Sequence, residues 1–238
     1  RARERLEDGA GFLLIDGASG TGKSSLARAG LLPELQDLEP DLRLAVTMPN
    51  TAEPLAALAR ALFEPSAVPE LVDGDFTTPE ALSTYFIKGG LSAPFESALR
   101  RAGTDEAPAR LLLLVDQLEA LFSDAVSEVS RNAYAELIEA LAALPNVQIV
   151  ATLRANMREA ALALPALGRL IDGHWGLSLT PPRPDALAEI VRGPAKAAAL
   201  AFERNSEGLG LDEVLLHDSQ SDPAALPLLQ FTLDQLYA

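Results

Sequence analysis

The 238-residue chain contains no cysteine and only two histidines, His174 and His217. The absence of cysteine excludes both a disulfide framework and a thiolate metal site. Two histidines so far apart in the sequence also argue against a histidine-built zinc site. Apolar runs such as Leu111–Val115 are far shorter than the roughly 20 residues that a membrane-spanning helix needs. A chain embedded in a membrane is therefore not expected.

Basic residues are scarce relative to acidic ones. The chain has 19 lysines and arginines against 34 aspartates and glutamates, which gives a formal net charge of −15. A field of this sign repels phosphate backbones and anionic lipids, so neither nucleic acid nor a membrane is expected as a direct partner. The hydrophobic share of 48% and the charged share of 22% are ordinary for a globular chain and exclude a disordered one.

The sequence begins at Arg1, without an initiator methionine and without the apolar segment of a signal peptide. We interpret the sequence as a piece of a larger polypeptide, and we expect a cytoplasmic location. Whatever flanks the piece is not part of this sequence.

Hydrophobic patterning indicates strands that alternate with helices. The predicted strands are residues 12–16, 42–48, 111–115, 147–153 and 175–179. Several of these runs are apolar throughout, which is typical of parallel strands buried on both faces. A helix is expected to begin at Lys23 and to be closed by Pro33. Strands separated by helices predict an α/β fold, a three-layer sandwich with a parallel central sheet.

The pattern changes at residues 180–184, TPPRP. From there on we expect helices only, over residues 185–192, 194–202, 211–216 and 224–236. A proline-stiffened joint of this kind is a natural boundary. We therefore predict an α/β domain at residues 1–180 and a small all-helical domain at residues 181–238.

Residues 17–24, GASGTGKS, match the phosphate-binding pattern G-x-x-x-x-G-K-[ST] in full. The glycines aim successive backbone N–H groups at phosphate oxygens, and the following helix adds its positive N-terminal end. Lys23 is expected to reach the β- and γ-phosphates, and Ser24 is expected to hold Mg²⁺. The predicted nucleotide-binding residues of this P-loop are Gly17, Ala18, Ser19, Gly20, Thr21, Gly22, Lys23 and Ser24.

Asp116 ends the apolar run 111–115. An aspartate at the end of a buried strand matches the Walker-B pattern, which places a carboxylate at the Mg²⁺ site. Such an aspartate can also be a simple helix cap, but its pairing with the P-loop favours the metal role. The long interval between Lys23 and Asp116 leaves room for a further strand at 42–48.

Two charged residues beyond these motifs are candidates for catalysis. Glu119, three residues past Asp116, would either polarise the attacking water or lie solvated on the next helix. Arg154 follows the strand 147–153, where a guanidinium would either contact the γ-phosphate or remain a surface cation. Arg158 and Arg169 are weaker candidates for a similar role.

Four stretches of the chain resemble STAND-class P-loop NTPases, especially the bacterial novel-STAND type, which is related to NACHT and NB-ARC proteins. The stretches are residues 17–32 (GASGTGKSSLARAGLL), 112–122 (LLLVDQLEALF), 150–154 (VATLR) and 222–233 (DPAALPLLQFTL). The resemblance implies a switch that holds ADP at rest, exchanges it for ATP and then self-associates. It also implies that Arg154 is the sensor-1 arginine, that Pro227 lies over the nucleotide and that Ser25 contacts the α-phosphate. The cofactors implied are ATP, ADP and Mg²⁺.

The chain departs from this family pattern in three ways. Family members often carry two acids after the Walker-B aspartate, but here Ala120 takes the second position and Glu119 stands alone, which argues against fast hydrolysis. Ala225 stands where a glycine often precedes Leu-Pro-Leu. The Gly-Arg motif expected before the first strand is not recognisable, and the sensor and effector domains of such proteins would lie outside this sequence.

The residues leave two alternatives to a regulatory switch. The chain could be a constitutively active ATPase or kinase of P-loop fold, although neither a Leu-Ser-Gly-Gly-Gln-like signature nor an arginine-rich lid is recognisable. It could also be a scaffold whose nucleotide is structural and never hydrolysed, a possibility that Ala120 favours.

Overall fold

The computed structural model describes residues 11–50, 52–74, 76–104, 106–173, 175–220 and 226–237. These residues form two compact units. The larger unit comprises Lys23–Ser178 and the described residues before Gly17, and the smaller comprises Gly17–Gly22 and the chain from Leu179 onwards. The domain boundary that we place after residue 180 lies close to the end of the larger unit, and it stays a prediction.

A five-stranded parallel sheet organises the larger unit, with the strand order β2-β3-β4-β1-β5. The strands are β1 (Phe12–Gly17), β2 (Arg43–Thr47), β3 (Leu111–Val115), β4 (Val147–Arg154) and β5 (Trp175–Leu179). Because β4 lies between β1 and β3, the strand that precedes the phosphate-binding motif and the strand that precedes Asp116 are not neighbours. This arrangement confirms the predicted α/β class with a parallel central sheet.

Strand β3 is apolar throughout because both of its faces are covered. All five of its residues are buried. Leu111, Leu113 and Val115 belong to the main hydrophobic core, while Leu112 and Leu114 point to the opposite face, since side chains alternate along a strand. The helix Pro54–Phe63 packs against β2, and the helix Glu128–Ala142 packs against β4.

The described helices of the larger unit are α1 (Lys23–Ser25), α2 (Leu32–Leu38), α3 (Pro54–Phe63), α4 (Pro79–Ile87), α5 (Ala93–Ala102), α6 (Glu128–Ala142), α7 (Arg158–Ala163) and α8 (Pro165–Gly173). A π-helical segment, Leu26–Leu31, joins α1 to α2, and shorter 3₁₀ segments occur at Pro69–Leu71, Leu118–Phe122 and Ala155–Met157.

The helix that begins at Lys23 does not close at Pro33, as the sequence suggested. It continues through the π-helical segment into α2 and ends at Leu38. Pro33 lies in the first turn of α2, where a missing N–H is tolerated. The proline therefore marks a change of helical register and not a stop.

The smaller unit contains the helices α9 (Pro184–Ala197), α10 (Leu211–Gln220) and α11 (Leu226–Tyr237). Their shared core consists of Leu187, Val191, Leu216, Leu229 and Leu233. The predicted break before Pro194 is wrong, because Pro194 lies inside α9. Pro194 is exposed. Water can therefore hydrogen-bond the carbonyl four residues earlier, which has no N–H partner because proline lacks one.

The predicted helix over 194–202 correspondingly ends at residue 197. The predicted start of the last helix at 224 falls outside the described residues. None of the described helices has both the length and the apolar character needed to cross a membrane.

The first prediction concerns the contribution of the buried strand β3 to stability. Leu113→Ala should lower the free energy of unfolding by about 2–5 kcal/mol, because a fully buried strand position loses contacts and leaves a cavity. Urea denaturation followed by circular dichroism measures this loss.

The matched control is Val129→Ala, since Val129 is a 74% exposed position on α6. We expect a change within about 0.5 kcal/mol there. Equal losses for the two variants would contradict the buried position of β3.

Candidate functional site

Asp116 follows β3 directly, and its carboxylate is almost completely buried. The Ser24 hydroxyl donates a hydrogen bond of 2.7 Å to its Oδ1, and the Thr152 hydroxyl donates another of 2.7 Å to the same atom. Arg28 Nε donates to Oδ2, also at 2.7 Å. We call Ser24, Arg28, Asp116 and Thr152 the Asp116 cluster. It joins the helix after the P-loop to the ends of β3 and β4.

The hydrogen bonds of this cluster decide the charge of the carboxyl group. Burial alone would raise the pKa of Asp116, but the hydrogen bonds from Thr152, Ser24 and Arg28 outweigh it and hold the pKa below its usual value. Asp116 is therefore a carboxylate at neutral pH, which is the form that a divalent cation requires.

The turn after Asp116 is strained. Gln117 adopts a left-handed conformation with φ 57°, which costs a residue other than glycine roughly 1–2 kcal/mol. The Gln117 N–H donates a 2.8 Å hydrogen bond to the Thr152 hydroxyl, which helps to hold this conformation. The turn leads at once into the 3₁₀ segment Leu118–Phe122, which carries Glu119.

Glu119 and Arg154 contact each other twice. Arg154 Nε lies 3.0 Å from Glu119 Oε1, and the Arg154 backbone N–H donates to Oε2 at 3.2 Å. The Glu119 side chain is only 13% exposed, so it does not lie solvated on a helix. Both carboxylate oxygens of the candidate base are thus engaged by the candidate γ-phosphate sensor.

Lys23 is buried at the start of α1. Burial lowers the pKa of its ammonium group, and the charge of Arg154 also lowers it. The carboxylates of Glu119, Asp116 and Asp16 act in the opposite direction. The charges that influence Lys23 therefore include three of the predicted catalytic residues, so the larger unit brings Lys23, Asp116, Glu119 and Arg154 into one region.

Asp16, the second buried carboxylate in this region, is one that sequence reasoning missed. It lies at the end of β1, where it accepts hydrogen bonds from Arg158 at 2.7 Å and from the Ser178 hydroxyl of β5. Arg158 thus pairs with Asp16, whereas Arg169 pairs with Glu139 of α6. Arg158 joins Lys23, Arg28 and Arg154 as the fourth cation described in this region. The carboxylates described there are those of Asp16, Asp116 and Glu119.

The signals for the missed residues were weak. Thr152 is one of the few polar residues in the apolar strand β4, and Arg28 lies four residues after Ser24. The Thr152 signal predicts a contact with Asp116 only if β4 is known to pair with β3, and the register shows this pairing, because Val115 is paired with Ala151. The Arg28 signal predicts the contact only if the helical segment after the P-loop is known to reach the end of β3.

The P-loop residues 17–22 belong to the smaller unit. Gly20 and Gly22 have positive φ values of 79° and 86°, which only glycine adopts without strain. The Thr21 hydroxyl donates to the Ala18 carbonyl at 3.0 Å, while Ala18 and Ser19 are exposed. A side chain on Gly17 would come within 2.6 Å of the Leu179 carbonyl.

The two remaining predicted binding residues, Ser25 and Pro227, lie at the surface. Ser25 is exposed after Ser24. Pro227 is exposed in the first turn of α11. A Cβ built on Gly22 would lie 3.7 Å from Leu226, the neighbour of Pro227, so the start of α11 lies beside the P-loop within the smaller unit. The roles of Ser25 and Pro227 stay predictions.

The oxygen atoms of Ser24 and Asp116 suit Mg²⁺, which also takes phosphate and water ligands, better than they suit a metal ion held by protein ligands alone. Ser24 and Asp116 offer hard oxygen atoms beside each other, and Mg²⁺ is commonly held by one or two such groups together with substrate phosphates and water. Among the described residues no group of three or more histidines, cysteines, aspartates or glutamates is placed to hold a metal ion.

Comparison with known families agrees with this geometry. The family model described as Novel STAND NTPase 1 matches residues 1–238. The chain belongs to this family of NTPases. The resemblance drawn from the four sequence stretches is thereby confirmed.

Solved structures similar to this NTPase chain share its fold. A Walker-type ATPase of Pyrococcus abyssi matches with a TM-score of 0.60 and 17% identity, over 99% of this chain and 65% of the other. Domain III of the replication initiation protein DnaA from Thermotoga maritima matches with a TM-score of 0.56 and 16% identity, over 94% and 78%. The Aeropyrum pernix ORC2 protein, solved in ADPNP and ADP complexes, matches with a TM-score of 0.51 and 18% identity, over 82% and 48%.

These likenesses establish a P-loop ATPase fold for the chain. The NTPase chain spans less than two thirds of the Pyrococcus abyssi protein and about half of the ORC2 protein. No curated protein matches it at a significant level.

The second prediction concerns the Thr152 hydroxyl of the Asp116 cluster. Thr152→Val should lower the free energy of unfolding by about 1–3 kcal/mol at pH 7, because the Gln117 N–H and the Asp116 carboxylate each lose a hydrogen-bond partner. The pKa of Asp116 is depressed in the folded chain. Its stabilising contribution is therefore present above the unfolded-state pKa of about 4 and is lost as the pH falls through the folded-state pKa. The difference in the free energy of unfolding between the wild type and Thr152→Val should therefore become smaller at acid pH.

Urea denaturation at several pH values between 7 and 3 measures this deficit. Thr84→Val on α4 is the control, because the Thr84 hydroxyl is exposed and donates only to the Glu80 carbonyl. We expect a change there within about 0.5 kcal/mol at every pH. A Thr152→Val deficit of constant size from pH 7 to pH 3 would contradict the role of its hydroxyl on Asp116.

Proposed function

We propose that this chain is the ATP- and ADP-binding module of a larger signalling or defence protein, and that it acts as a nucleotide-dependent conformational switch. One observation carries the proposal. The hydroxyl of Ser24, which ends the phosphate-binding motif, donates directly to the buried carboxylate of Asp116. In P-loop NTPases Mg²⁺ is held by the Ser or Thr hydroxyl that ends the P-loop and by an aspartate after a buried strand, and this contact supports that role for Ser24 and Asp116.

Each residue of the site has a distinct task in this proposal. The backbone N–H groups of residues 17–22 bind phosphate oxygens, and Lys23 neutralises the β- and γ-phosphates. Ser24 and Asp116 hold Mg²⁺, which supplies charge stabilisation at the phosphates when it is bound. Ser25 contacts the α-phosphate, and Pro227 lies over the nucleotide.

Hydrolysis, in this proposal, is slow because the candidate base is restrained. Glu119 would accept the proton of the attacking water, but both of its oxygens contact Arg154. Movement of the Arg154 guanidinium to the γ-phosphate would free Oε1 of Glu119, while Oε2 keeps the backbone N–H of Arg154, and it would also report which nucleotide is bound. A contact made only with ATP gives the two nucleotide states the differential affinity that a switch requires.

The same proposal extends to partners. A switch of this kind would self-associate in its ATP-bound form and would pass the change to sensor and effector domains outside this sequence. The net charge of −15 speaks against direct nucleic-acid binding, although solved structures of similar fold include a Drosophila ORC bound to DNA. A cytoplasmic location belongs to the proposal as well.

Nucleotide binding is tested by Lys23→Ala. Loss of a charge-assisted contact with phosphate should weaken the affinity for ADP and ATP by about 100-fold or more, as measured by isothermal titration calorimetry with Mg²⁺ present. Lys88→Ala, an exposed lysine, is the control and should bind like the wild type. Unchanged affinity in Lys23→Ala would overturn the P-loop assignment.

Hydrolysis is tested by Glu119→Gln. If Glu119 is the base, conversion of bound ATP to ADP should slow by about 100-fold, while ATP affinity stays within about two-fold of the wild type. Acid quenching at timed intervals, with quantification of bound ATP and ADP, measures the rate. Glu139→Gln is the control, because Glu139 also pairs with an arginine, Arg169, but lies outside the site.

The outcomes separate the alternatives. Slow turnover that Glu119→Gln leaves unchanged would remove Glu119 from catalysis, and bound ATP that persists in the wild type would favour a structural nucleotide. Rapid multiple turnover, or transfer of phosphate to an acceptor, would favour a constitutive ATPase or kinase of the same fold.

A further inference from the structure

Arg28 is the cation of the Asp116 cluster, and the proposed function gives it no task. Its Nε lies 2.7 Å from Oδ2 of Asp116. The carboxylate side chain is 2% exposed and the arginine side chain 46% exposed. A fixed, buried anion is thus paired with a cation that reaches solvent.

The two carboxylate oxygens of Asp116 have different partners. Oδ1 accepts from the hydroxyls of Ser24 and Thr152, whereas Oδ2 accepts from Arg28. A guanidinium has no lone pair and is always charged, so it cannot serve as a metal ligand. Where it pairs with a carboxylate that also serves a divalent cation, the two cations compete for one anion.

The local backbone places Arg28 for this contact. Ser24 and Arg28 are four residues apart, close to one helical turn, and both reach the same carboxylate. Arg28 lies inside the π-helical segment Leu26–Leu31, a type of distortion that is frequent at functional sites. The side chain of Arg28 is 46% exposed, so its guanidinium already borders water.

We propose that Arg28 is a built-in counter-cation, which holds the Asp116 carboxylate in the metal-free chain and competes with Mg²⁺ for it. Arg28 thereby sets the Mg²⁺ concentration at which nucleotide binds tightly. The inference rests on the proposed function, in which Ser24 and Asp116 hold the metal. Without Mg²⁺, Arg28 keeps a buried anion paired and aligned, and with Mg²⁺ it gives up Oδ2.

The test is a magnesium titration of ADP binding. Arg28→Met keeps the apolar stem of the side chain and removes its charge. Fluorescence of a labelled ADP, recorded as Mg²⁺ is added, gives the Mg²⁺ concentration at half-maximal binding. This midpoint should fall about ten-fold in the variant, because a competing positive charge next to the metal is gone. In EDTA, the affinity for ADP should be no tighter than that of the wild type.

Two matched variants show whether the charge of Arg28 is the cause. Arg169→Met removes another arginine Nε that contacts a carboxylate, that of Glu139, and should leave the midpoint unchanged. Arg28→Lys keeps the charge and should have a midpoint closer to the wild type than to Arg28→Met. Thermal unfolding of each variant, compared with the wild type, confirms that the fold is retained.

The results that overturn the inference are distinct from those that overturn the proposed function. A midpoint that is unchanged or higher in Arg28→Met, or tighter ADP binding by that variant in EDTA, would overturn the role of Arg28. If instead the wild type binds ADP equally well with Mg²⁺ and with EDTA, or not at all, the proposed magnesium–nucleotide site itself fails.

Discussion

The site depends on one buried anion. The Asp116 carboxylate is removed from water at the end of β3, and a buried charge without partners would cost several kcal/mol. Three donors from separate parts of the chain meet it: Ser24 after the P-loop, Arg28 in the π-helical segment and Thr152 on β4. Stabilising this anion therefore fixes the helix after the P-loop against two central strands.

The strand order explains why the charged residues converge. Parallel strands end at the same edge of the sheet, and ligands of open α/β sheets bind outside the carboxyl ends of the strands. Asp16, Asp116 and Arg154 end or follow three adjacent strands, β1, β3 and β4, in the order β3-β4-β1. In a chain whose net charge is −15, this region gathers more cations than carboxylates, which suits an anionic ligand.

The sequence predicted those parts of the fold and site that local patterns determine. The phosphate-binding motif predicted a strand followed by a helix that begins at Lys23, and the apolar run before Asp116 predicted strand β3. The contact of Asp116 with Thr152 depends on the pairing of β3 with β4, and its contact with Arg28 depends on where the helical segment after the P-loop lies relative to β3; no local pattern contains either. The sequence does not predict helices α4, α7 and α8, which have only 9, 6 and 9 residues. It predicts breaks at Pro33 and Pro194, because the position of a proline within a helix depends on where that helix begins.

The proposed switch requires a Mg²⁺–nucleotide that Ser24 and Asp116 help to hold. The most direct test is to incubate the purified wild-type chain with ATP, in Mg²⁺ or in EDTA, and to quantify ATP and ADP in the bound and free fractions. The account predicts near-stoichiometric bound nucleotide in Mg²⁺, with ADP accumulating slowly in the bound fraction, and weaker binding in EDTA. Absence of bound nucleotide at millimolar ATP, or binding that is indifferent to Mg²⁺, would contradict it.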